Sequence, residues 1–423
     1  MDANRRLEEL FRRMLNYERT RTMAAPWSLD NMRRLLTGAG ARAARGVWIQ
    51  VGGSKGKGST SHYLEALARG TGARTGLYTS PHLQHVTERV RIDGEPVPAT
   101  ELADALDAVL AQADAGGMLL SFFEALTAAA VRIFGDHAVD VAVLEVGLGG
   151  RLDATTAVPV DATVLTHIEL EHTDLLGPDI ESIATEKAHI MRPGAPAWVT
   201  PDPRTDALFA AHAGRIGAVP RTPATIADLR ELATTWSGTL VEGAERHPFT
   251  LHGASRFELA ALALAFSCLH HLLPHAALPL TPVPRPELPG RFEVHSAATS
   301  PWILDGAHTE GSARQVATEL RRRFPGRRVN LLFGAAAGKR WTAVLSELLP
   351  LVDRVLVTPL PGIPCEEPAG VVAWLHERGI PAVAVSDPES GWAALRDDPG
   401  LRLVAGSFYL VGAVRQKLDD VRR

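Results

Sequence analysis

The chain has 423 residues, of which 46% are hydrophobic and 22% are charged, and its formal net charge is -4. This is the composition of an ordinary globular protein with two domains, and its charge gives no electrostatic basis for binding nucleic acid or an anionic membrane. The two cysteines, Cys268 and Cys365, show no metal-ligand spacing, which indicates a reducing compartment. The charged N-terminus is unlike a signal peptide and no stretch resembles a membrane span, so we expect a cytoplasmic protein.

The first half of the chain alternates short apolar runs with segments of helical periodicity. The runs VWIQVGG, VDVAVLEVG and DATVLTHI are too continuously apolar for a sheet with one wet face, and they predict buried parallel strands. Helical segments include ATELADALDAVLAQADA, SFFEALTAAAVRIF and ESIATEKAHIM. The pattern predicts a doubly wound, mainly parallel α/β sheet.

A proline-rich stretch, ALPLTPVPRPELPG at residues 277–290, interrupts this alternation and is the clearest linker. After it the pattern restarts, with the apolar runs PWILD, RVNLLFG, DRVLVTP, PAVAV and LRLVAGS. We therefore predict an α/β domain at residues 1–287 and a smaller Rossmann-like α/β domain at residues 288–423.

The stretch GGSKGKGST at residues 52–60, called the phosphate loop below, lies between a predicted strand and a predicted helix. Its glycines allow backbone N–H groups to turn toward an anion, and Lys57 suits phosphate binding. Ser59 or Thr60 suits Mg²⁺. Gly58 separates Lys57 from Ser59, whereas the common nucleotide-binding loop has Ser or Thr directly after Gly-Lys. A flexible glycine turn is the alternative, and the lysine and hydroxyls favour the phosphate loop.

Three more segments place polar residues after predicted strands. Glu145 ends a buried strand, where a carboxylate is costly unless it meets a cation, so it is either a Mg²⁺ ligand or a turn cap. His172 follows the next strand among acidic residues, and it is either a metal ligand or a structural loop histidine. Ser80, in TSPHL, is either a hydroxyl ligand or a turn residue before a proline.

Together these motifs resemble the Mur ligase superfamily and, within it, the folylpolyglutamate synthase/dihydrofolate synthase family. The intervening glycine is similar to that family's own loop spacing. TSPHL, ERVRIDGEPV, SFFEALTAAA, LEVGLGGRLDAT, EHTDLLG and EKAHIMRPG follow in family order, and PGRFEV, ILDGAH, VLVTP and AGSFYLVG continue the match. The resemblance extends from about Trp27 to Arg415.

The resemblance implies a two-domain Mur ligase-like fold and an ATP-dependent amide ligase. Such a ligase activates a substrate carboxylate as an acyl phosphate, which the amine of an amino acid then attacks. In the namesake enzymes the acid is dihydropteroate or a folate and the amine is that of glutamate, which places them in folate and one-carbon metabolism. ATP and a pair of Mg²⁺ ions would be the cofactors, the partners would be small molecules, and the protein would be a monomer.

The resemblance also assigns roles to residues of this chain. ATP binding falls to Gly56, Lys57, Gly58, Ser59, Thr60, Arg291, Asp305 and His308. Metal binding falls to Ser80, Glu145 and His172. The catalytic set is Lys57, His172 and Lys187. Lys187 matches the position where the family carries a carbamylated lysine, and the alternative interpretation of Lys187 is a cation on the surface of a helix. The acid-substrate pocket would include Phe122, Phe123 and Asp153, although the two phenylalanines also suit the core of an amphipathic helix. ATP would lie between the domains, whose closure would assemble the site.

Several positions depart from the family pattern: Lys55, Glu169, Glu171, Ser255, Arg256, Leu259 and Thr309. Lys55 replaces a loop asparagine, and Leu259 replaces a nucleotide-contacting asparagine although leucine has no hydrogen-bonding side chain. These changes leave three functions open. The first is a folate ligase, the second a related ligase with another acid and amino acid, and the third a nucleotide-binding module without turnover.

Overall fold

The structure, a computed structural model, describes residues 2–15, 28–37, 46–296 and 300–422. These residues form two compact units. The first reaches Pro81 and continues over Val86–Glu287, and the second combines His82–His85 with the chain from Leu288 onward. Within the described ranges, no helix has both the length and the apolar character needed to cross a bilayer.

The first unit contains nine α-helices and eleven strands among the described residues. In chain order they are α1 (Ala3–Phe11), α2 (Asp30–Leu36), β1 (Val47–Gly52), α3 (Lys57–Arg69), β2 (Thr75–Tyr78), β3 (Val90–Ile92), β4 (Glu95–Pro96), α4 (Ala99–Ala115), α5 (Phe122–Asp136), β5 (Val141–Glu145), β6 (Ala162–Leu165), α6 (Thr173–Leu176), α7 (Ile180–Ala188), β7 (Pro196–Val199), α8 (Asp206–Ile216), β8 (Val219–Arg221), β9 (Thr225–Leu232), β10 (Thr235–Glu242), β11 (Glu245–His252) and α9 (Glu258–Leu272).

Eight of these strands form the main sheet, in the order β4-β3-β2-β5-β1-β6-β7-β8. Strand β1 lies between β5 and β6 and is parallel to both, with Val51 opposite Glu145 and Val164. The side chains of β5 and β6 are buried throughout, as are all but the first of β1. Burying each Val, Leu or Ile side chain contributes about 1.5–3 kcal/mol, which explains why these segments are continuously apolar. The predicted doubly wound parallel sheet is confirmed.

Residues 225–252 form a separate antiparallel sheet in the order β11-β10-β9, which the sequence pattern did not predict. Its buried side chains are few and alternate with exposed ones, as Phe249 and Leu251 do on β11. Strand β9 is mostly exposed. Helix α9 follows this sheet and packs against α3, the helix after the phosphate loop.

The second unit is a six-stranded sheet in the order β12-β13-β17-β14-β15-β16, in which only the β12–β13 pair is antiparallel. Its elements are β12 (Glu293–His295), β13 (Trp302–Leu304), α10 (Glu310–Arg323), β14 (Val329–Phe333), α11 (Trp341–Leu348), β15 (Val352–Val357), α12 (Pro368–His376), β16 (Ala382–Ala384), α13 (Pro388–Leu395), β17 (Leu401–Ala405) and α14 (Phe408–Arg422). The predicted strand of each of the five apolar runs is present.

Candidate active site

The predicted phosphate and metal residues of the first unit lie at one edge of its main sheet. Ser80 follows β2, Glu145 ends β5, the phosphate loop follows β1, and His172 comes after β6. These four strands are neighbours in the order β2-β5-β1-β6 and run parallel. Their carboxyl ends therefore meet at the same edge, which is where open α/β sheets bind ligands.

The phosphate loop depends on two glycines with positive φ. Gly56 has φ of 92° and is the N-cap of α3. Gly53 has φ of 133°, and a Cβ atom there would lie 2.0 Å from Thr166 Oγ1, so only glycine fits. The loop thus enters α3 with the first N–H groups of the helix turned toward it, an arrangement that favours a bound anion.

Two lysine side chains converge on the carbonyl of Gly53. Lys57 Nζ donates to the Gly53 oxygen at 2.9 Å and to the Ser54 oxygen at 3.2 Å. Lys187 Nζ, on α7, donates to the same Gly53 oxygen at 3.0 Å. Lys187 is 1% exposed, so it is not the surface cation that its sequence allowed. Positive charge is therefore concentrated at the base of the phosphate loop, where it would stabilise an anion.

Glu171 balances part of that charge. Its Oε1 lies 2.8 Å from Lys187 Nζ, the distance of a charge-assisted hydrogen bond. Burial would raise the pKa of Glu171, but the charges of Lys57, Lys187 and His172, with the hydrogen bond from Lys187, lower it to about 2. Burial lowers the pKa of Lys187, and Glu171 opposes that effect. The geometry therefore favours a charged pair. In the sequence, Glu171 was noted only as a departure from the family pattern. Its position directly before His172, the predicted metal ligand, is the feature that could have indicated a role in the site.

The predicted metal ligands offer a hydroxyl, a carboxylate and an imidazole. Glu145 is 3% exposed, and its Oε2 accepts a hydrogen bond from the Ser80 backbone N–H at 3.1 Å. His172 has a left-handed backbone, with φ of 46° and ψ of 42°, which is uncommon for a residue other than glycine and is typical of functional sites.

The chemistry of these side chains is compatible with a divalent metal ion bound beside a nucleotide. The hydroxyl and the carboxylate are oxygen ligands of the kind that Mg²⁺ prefers. At the start of α3, Thr60 Oγ1 is buried and has no hydrogen-bond partner in the part of the chain that the structure describes. A buried hydroxyl of this kind is costly unless a ligand or water satisfies it.

Two of the departures from the family pattern contact each other. Lys55 Nζ lies 3.6 Å from Glu169 Oε1, and both side chains are about four-fifths buried. The backbone N–H groups of Ser54 and Lys55 donate to the His167 carbonyl at 2.9 and 3.1 Å, and Ser54 Oγ donates to the Glu169 carbonyl at 3.1 Å. The phosphate loop is thus fastened to the segment that precedes His172.

The two phenylalanines predicted for the acid-substrate pocket differ in their surroundings. Phe122 is buried in the hydrophobic core, with its ring edge-on to Phe11 at 5.0 Å between centroids. Phe123 is half-buried, and its ring centroid lies 5.8 Å from that of Tyr78. Phe122 therefore has the contacts of a core residue, and Phe123 is the more accessible of the two. Their role in binding an acid stays a prediction.

Asp153, the third pocket residue, is buried and organises its own loop. Its Oδ2 accepts hydrogen bonds from the backbone N–H groups of Gly147 and Leu148 at 2.9 and 3.0 Å. Burial raises the pKa of Asp153, and these hydrogen bonds work against that rise. The carboxylate thus holds the glycine-rich turn after β5 in shape. Contact with a substrate stays a prediction.

Two of the three predicted nucleotide contacts of the second unit, Arg291 and His308, lie against one aromatic ring. The guanidinium of Arg291 lies 5.3 Å from the centroid of Phe408, and the imidazole of His308 stands edge-on to that ring at 6.1 Å. Asp305 accepts two backbone hydrogen bonds, both at 2.8 Å. Thr309, one of the departures, caps the N-terminus of α10 with its side chain.

The departures around α9 lie beside a buried acid that the sequence did not single out. Leu259 and Ser255 are buried, whereas Arg256 is exposed. Glu258 is fully buried and accepts hydrogen bonds from the Ser255 N–H at 2.7 Å and from the Tyr63 hydroxyl at 2.8 Å. Since Tyr63 belongs to α3, this acid ties α9 to the helix that begins at the phosphate loop.

Comparison with known proteins identifies relatives over both units. Residues 290–408 match the family model described as Mur ligase, glutamate ligase domain. The dihydrofolate synthase/folylpolyglutamate synthase of Escherichia coli K12 is 32% identical, and the match covers 88% of this chain and 86% of that protein. A probable bifunctional folylpolyglutamate synthase/dihydropteroate synthase of Haloferax volcanii is 34% identical over 93% of this chain, which spans about half the length of that relative.

Solved structures share the fold over nearly the whole length. Escherichia coli FolC in complex with DHPP and ADP superposes with a TM-score of 0.84 at 28% identity, covering 100% of this chain and 98% of that one. The bifunctional folylpolyglutamate synthase/dihydrofolate synthase of Yersinia pestis, complexed with AMPPNP and a Mn ion, gives a TM-score of 0.80 at 30% identity. That match covers 99% of this chain and 98% of the other. The phosphate loop of this chain therefore lies in a fold that, in those two proteins, binds a nucleotide.

Proposed function

Because this chain belongs to the folylpolyglutamate synthase/dihydrofolate synthase family of the Mur ligase superfamily, we propose that it is an ATP-dependent amide ligase. It activates a substrate carboxylate as an acyl phosphate and joins it to the amine of an amino acid, releasing ADP and phosphate. The substrates favoured by family membership are dihydropteroate or a folate as the acid and L-glutamate as the amine. Its cofactors are ATP and Mg²⁺.

The observation that carries this proposal is the charge arrangement around the phosphate loop. Two ammonium groups, those of Lys57 and Lys187, contact the Gly53 carbonyl in the loop between β1 and α3, and the Glu145 carboxylate ends the adjacent strand. Phosphoryl transfer needs positioning and neutralisation of charge more than covalent chemistry, and these groups supply both.

Each residue has a physical role in this proposal. The N–H groups at the start of α3 bind phosphate oxygens, and Lys57 turns from its loop carbonyls to neutralise charge on the transferred phosphoryl group. Ser80, Glu145 and His172 hold Mg²⁺, which when bound neutralises charge on the phosphate oxygens. Glu171 keeps Lys187 charged and in contact with the loop. From the second unit, the proposed nucleotide contacts are Arg291, Asp305 and His308.

Carbamylation of Lys187 stays a prediction, and Glu171 bears on it directly. A carbamate is an anion, so Glu171, 2.8 Å from Lys187 Nζ, would have to move or take up a proton. The intact mass of the purified protein, measured at neutral pH in the presence of bicarbonate because acid releases CO₂ from a carbamate, is compared with that of Lys187→Arg and reports the modification as the added mass of CO₂. If a carbamate supplies the anion, a short carboxylate added to Lys187→Ala restores part of the turnover. Absence of both signals would identify the ammonium as the working form.

The proposed function is tested by measuring ADP release. Purified protein with ATP, Mg²⁺, dihydropteroate or a reduced folate, and glutamate releases ADP and phosphate only when all substrates are present. Lys57→Ala lowers kcat/KM by about 10²–10³-fold, since one charge-stabilising donor is lost. Lys417→Ala is the matched control, because that lysine pairs with Glu389 at the surface of the second unit.

Three outcomes of this assay separate the candidate functions. Absence of glutamate-dependent turnover with both acids contradicts the folate ligase. ADP release with another acid and amino acid supports a related ligase of different specificity. ATP binding without turnover on a panel of acids and amino acids identifies a non-catalytic module. The monomeric state and the cytoplasmic location stay predictions, which light scattering and cell fractionation measure.

A further inference from the structure

A second group of ligating side chains lies outside all the residues assigned to the active site. Glu245 and His247 are two residues apart on β11 and so share one face of the strand, and His270 lies near the end of α9. We call these three residues the histidine cluster. Their ligating atoms all lie within 4.8 Å of one another.

The distances in the histidine cluster approach those of a metal site. Glu245 Oε2 lies 2.9 Å from His270 Nε2 and 3.3 Å from His247 Nε2. Around a tetrahedral Zn²⁺ with bonds of about 2.0–2.1 Å, ligand atoms are about 3.3 Å apart. Two of the three pairs already have nearly this spacing, and the third pair, the two imidazole nitrogens, lies within 4.8 Å.

The buried ring of Phe266 packs against both imidazole rings of the histidine cluster. Phe266, 1% exposed, stacks on His270 at 5.2 Å with an angle of 12° between the rings, and its centroid lies 4.8 Å from that of His247. His247 Nε2 is buried and makes no regular hydrogen bond within the described ranges, although it faces Glu245. The Glu245 side chain is 63% exposed, which leaves a path for an ion from solvent.

We propose that Glu245, His247 and His270 bind one divalent transition-metal ion of the Zn²⁺ class, with a fourth position open to water or an external ligand. Imidazole nitrogen supplies two of the three ligands, which favours Zn²⁺, Ni²⁺ or Cu²⁺ over Mg²⁺ and Ca²⁺. The three residues come from two elements, so the bound ion fastens the β10–β11 hairpin to α9. Helix α9 in turn reaches α3 through Glu258 and Tyr63, 2.8 Å apart.

The test is a calorimetric titration of the full, untagged chain with Zn²⁺ in excess Mg²⁺, which competes for the metal site proposed at Ser80, Glu145 and His172. Wild type binds one Zn²⁺ at the cluster. His247→Ala and His270→Ala weaken that binding at least about 100-fold, since even losing a residue that only supports a metal ligand costs 10–100-fold. A second readout is the visible absorption of bound Co²⁺.

Matched controls come from the same two elements. His252→Ala changes a histidine of β11 and His271→Ala one of α9, and both retain wild-type Zn²⁺ affinity. Circular dichroism of the metal-free variants, with His247→Gln as the conservative change, separates loss of the site from loss of the fold. Glu145→Gln impairs the proposed ligase but retains Zn²⁺ binding, so the two proposals fail independently. The inference is overturned if wild type binds no Zn²⁺ in excess Mg²⁺, or if His270→Ala binds it as tightly as His252→Ala does.

Discussion

Strands β11 and β12 each carry a glutamate two residues before a histidine, and the two pairs have different surroundings. On β11, Glu245 is mostly exposed and meets a second histidine, His270. On β12, Glu293 contacts His295 at 2.7 Å and Arg415 at 2.9 Å, and both members of the pair are largely buried. The same short motif thus gives an open cluster in one unit and a closed ion pair in the other.

This difference indicates that the third side chain in contact with the glutamate determines whether a histidine–glutamate pair forms a closed ion pair or stays open to a metal ion. On β12, Arg415 Nε donates to the Glu293 carboxylate, and the positive charge of the guanidinium disfavours a metal cation beside it. A histidine leaves the carboxylate free to share a metal ion. Closed pairs should therefore contribute to stability, and open ones to binding. Glu171, with Lys187 as its partner, belongs to the closed class.

The largest effect is expected for Glu171→Gln, which leaves the Lys187 ammonium buried without its counter-charge. The free energy of unfolding falls by about 3–5 kcal/mol, the cost of breaking a buried pair from one side. Urea unfolding at neutral pH measures it. A loss no larger than that of Glu169→Gln would show that Glu171 is not a closed partner.

The closed pair on β12 should make stability depend on acid pH. Burial would raise the pKa of Glu293, but His295, Arg415 and the Gly290 N–H lower it from 4.5 to about 2. Its stabilisation, roughly 3 kcal/mol, is therefore complete above pH 4.5 and is lost as the pH falls toward 2. The difference in unfolding free energy between wild type and Glu293→Gln should shrink over this range, and a constant difference would contradict the closed pair.

A smaller effect is expected for Lys55→Asn, because the Lys55–Glu169 ion pair is long, at 3.6 Å, and about a fifth of each side chain remains exposed to solvent. Such pairs contribute about 0.2–1 kcal/mol to the free energy of unfolding. Since Glu169 already neutralises the ammonium, the KM for ATP should stay within about threefold of wild type. Steady-state kinetics at varied ATP check this, and a larger rise would assign Lys55 to phosphate binding.

The smallest effect on folding is expected for Glu245→Gln in metal-free protein. The change alters the free energy of unfolding by less than about 0.5 kcal/mol, because the side chain is exposed. Zn²⁺ should raise the unfolding temperature of wild type but not of this variant. A large metal-free destabilisation would place Glu245 in the closed class and remove the contrast with Glu293.

The parts of the fold and site that could be predicted from sequence are those formed by one continuous segment of the chain. The runs that became β1, β5 and β6 are apolar because both faces are buried, and the phosphate loop is one strand–turn–helix segment. The sheet at residues 225–252 was missed because most of its side chains face solvent, which removes the apolar signal. The contact of Lys187 with Glu171 joins residues 16 apart on different segments, and only tertiary packing reveals it.

Gly53 also has a consequence for how this sequence changes over generations. Every amino acid reached from a glycine codon by one base change carries a Cβ atom, and here that atom would overlap Thr166, 2.0 Å from its Oγ1. Two residues later, Lys55 makes its ion pair at the far end of a long side chain, so many replacements fit there without moving the backbone. The same short loop thus contains Gly53, which does not tolerate replacement by single-base mutation, and Lys55, which does. New specificities are therefore expected to arise at Lys55.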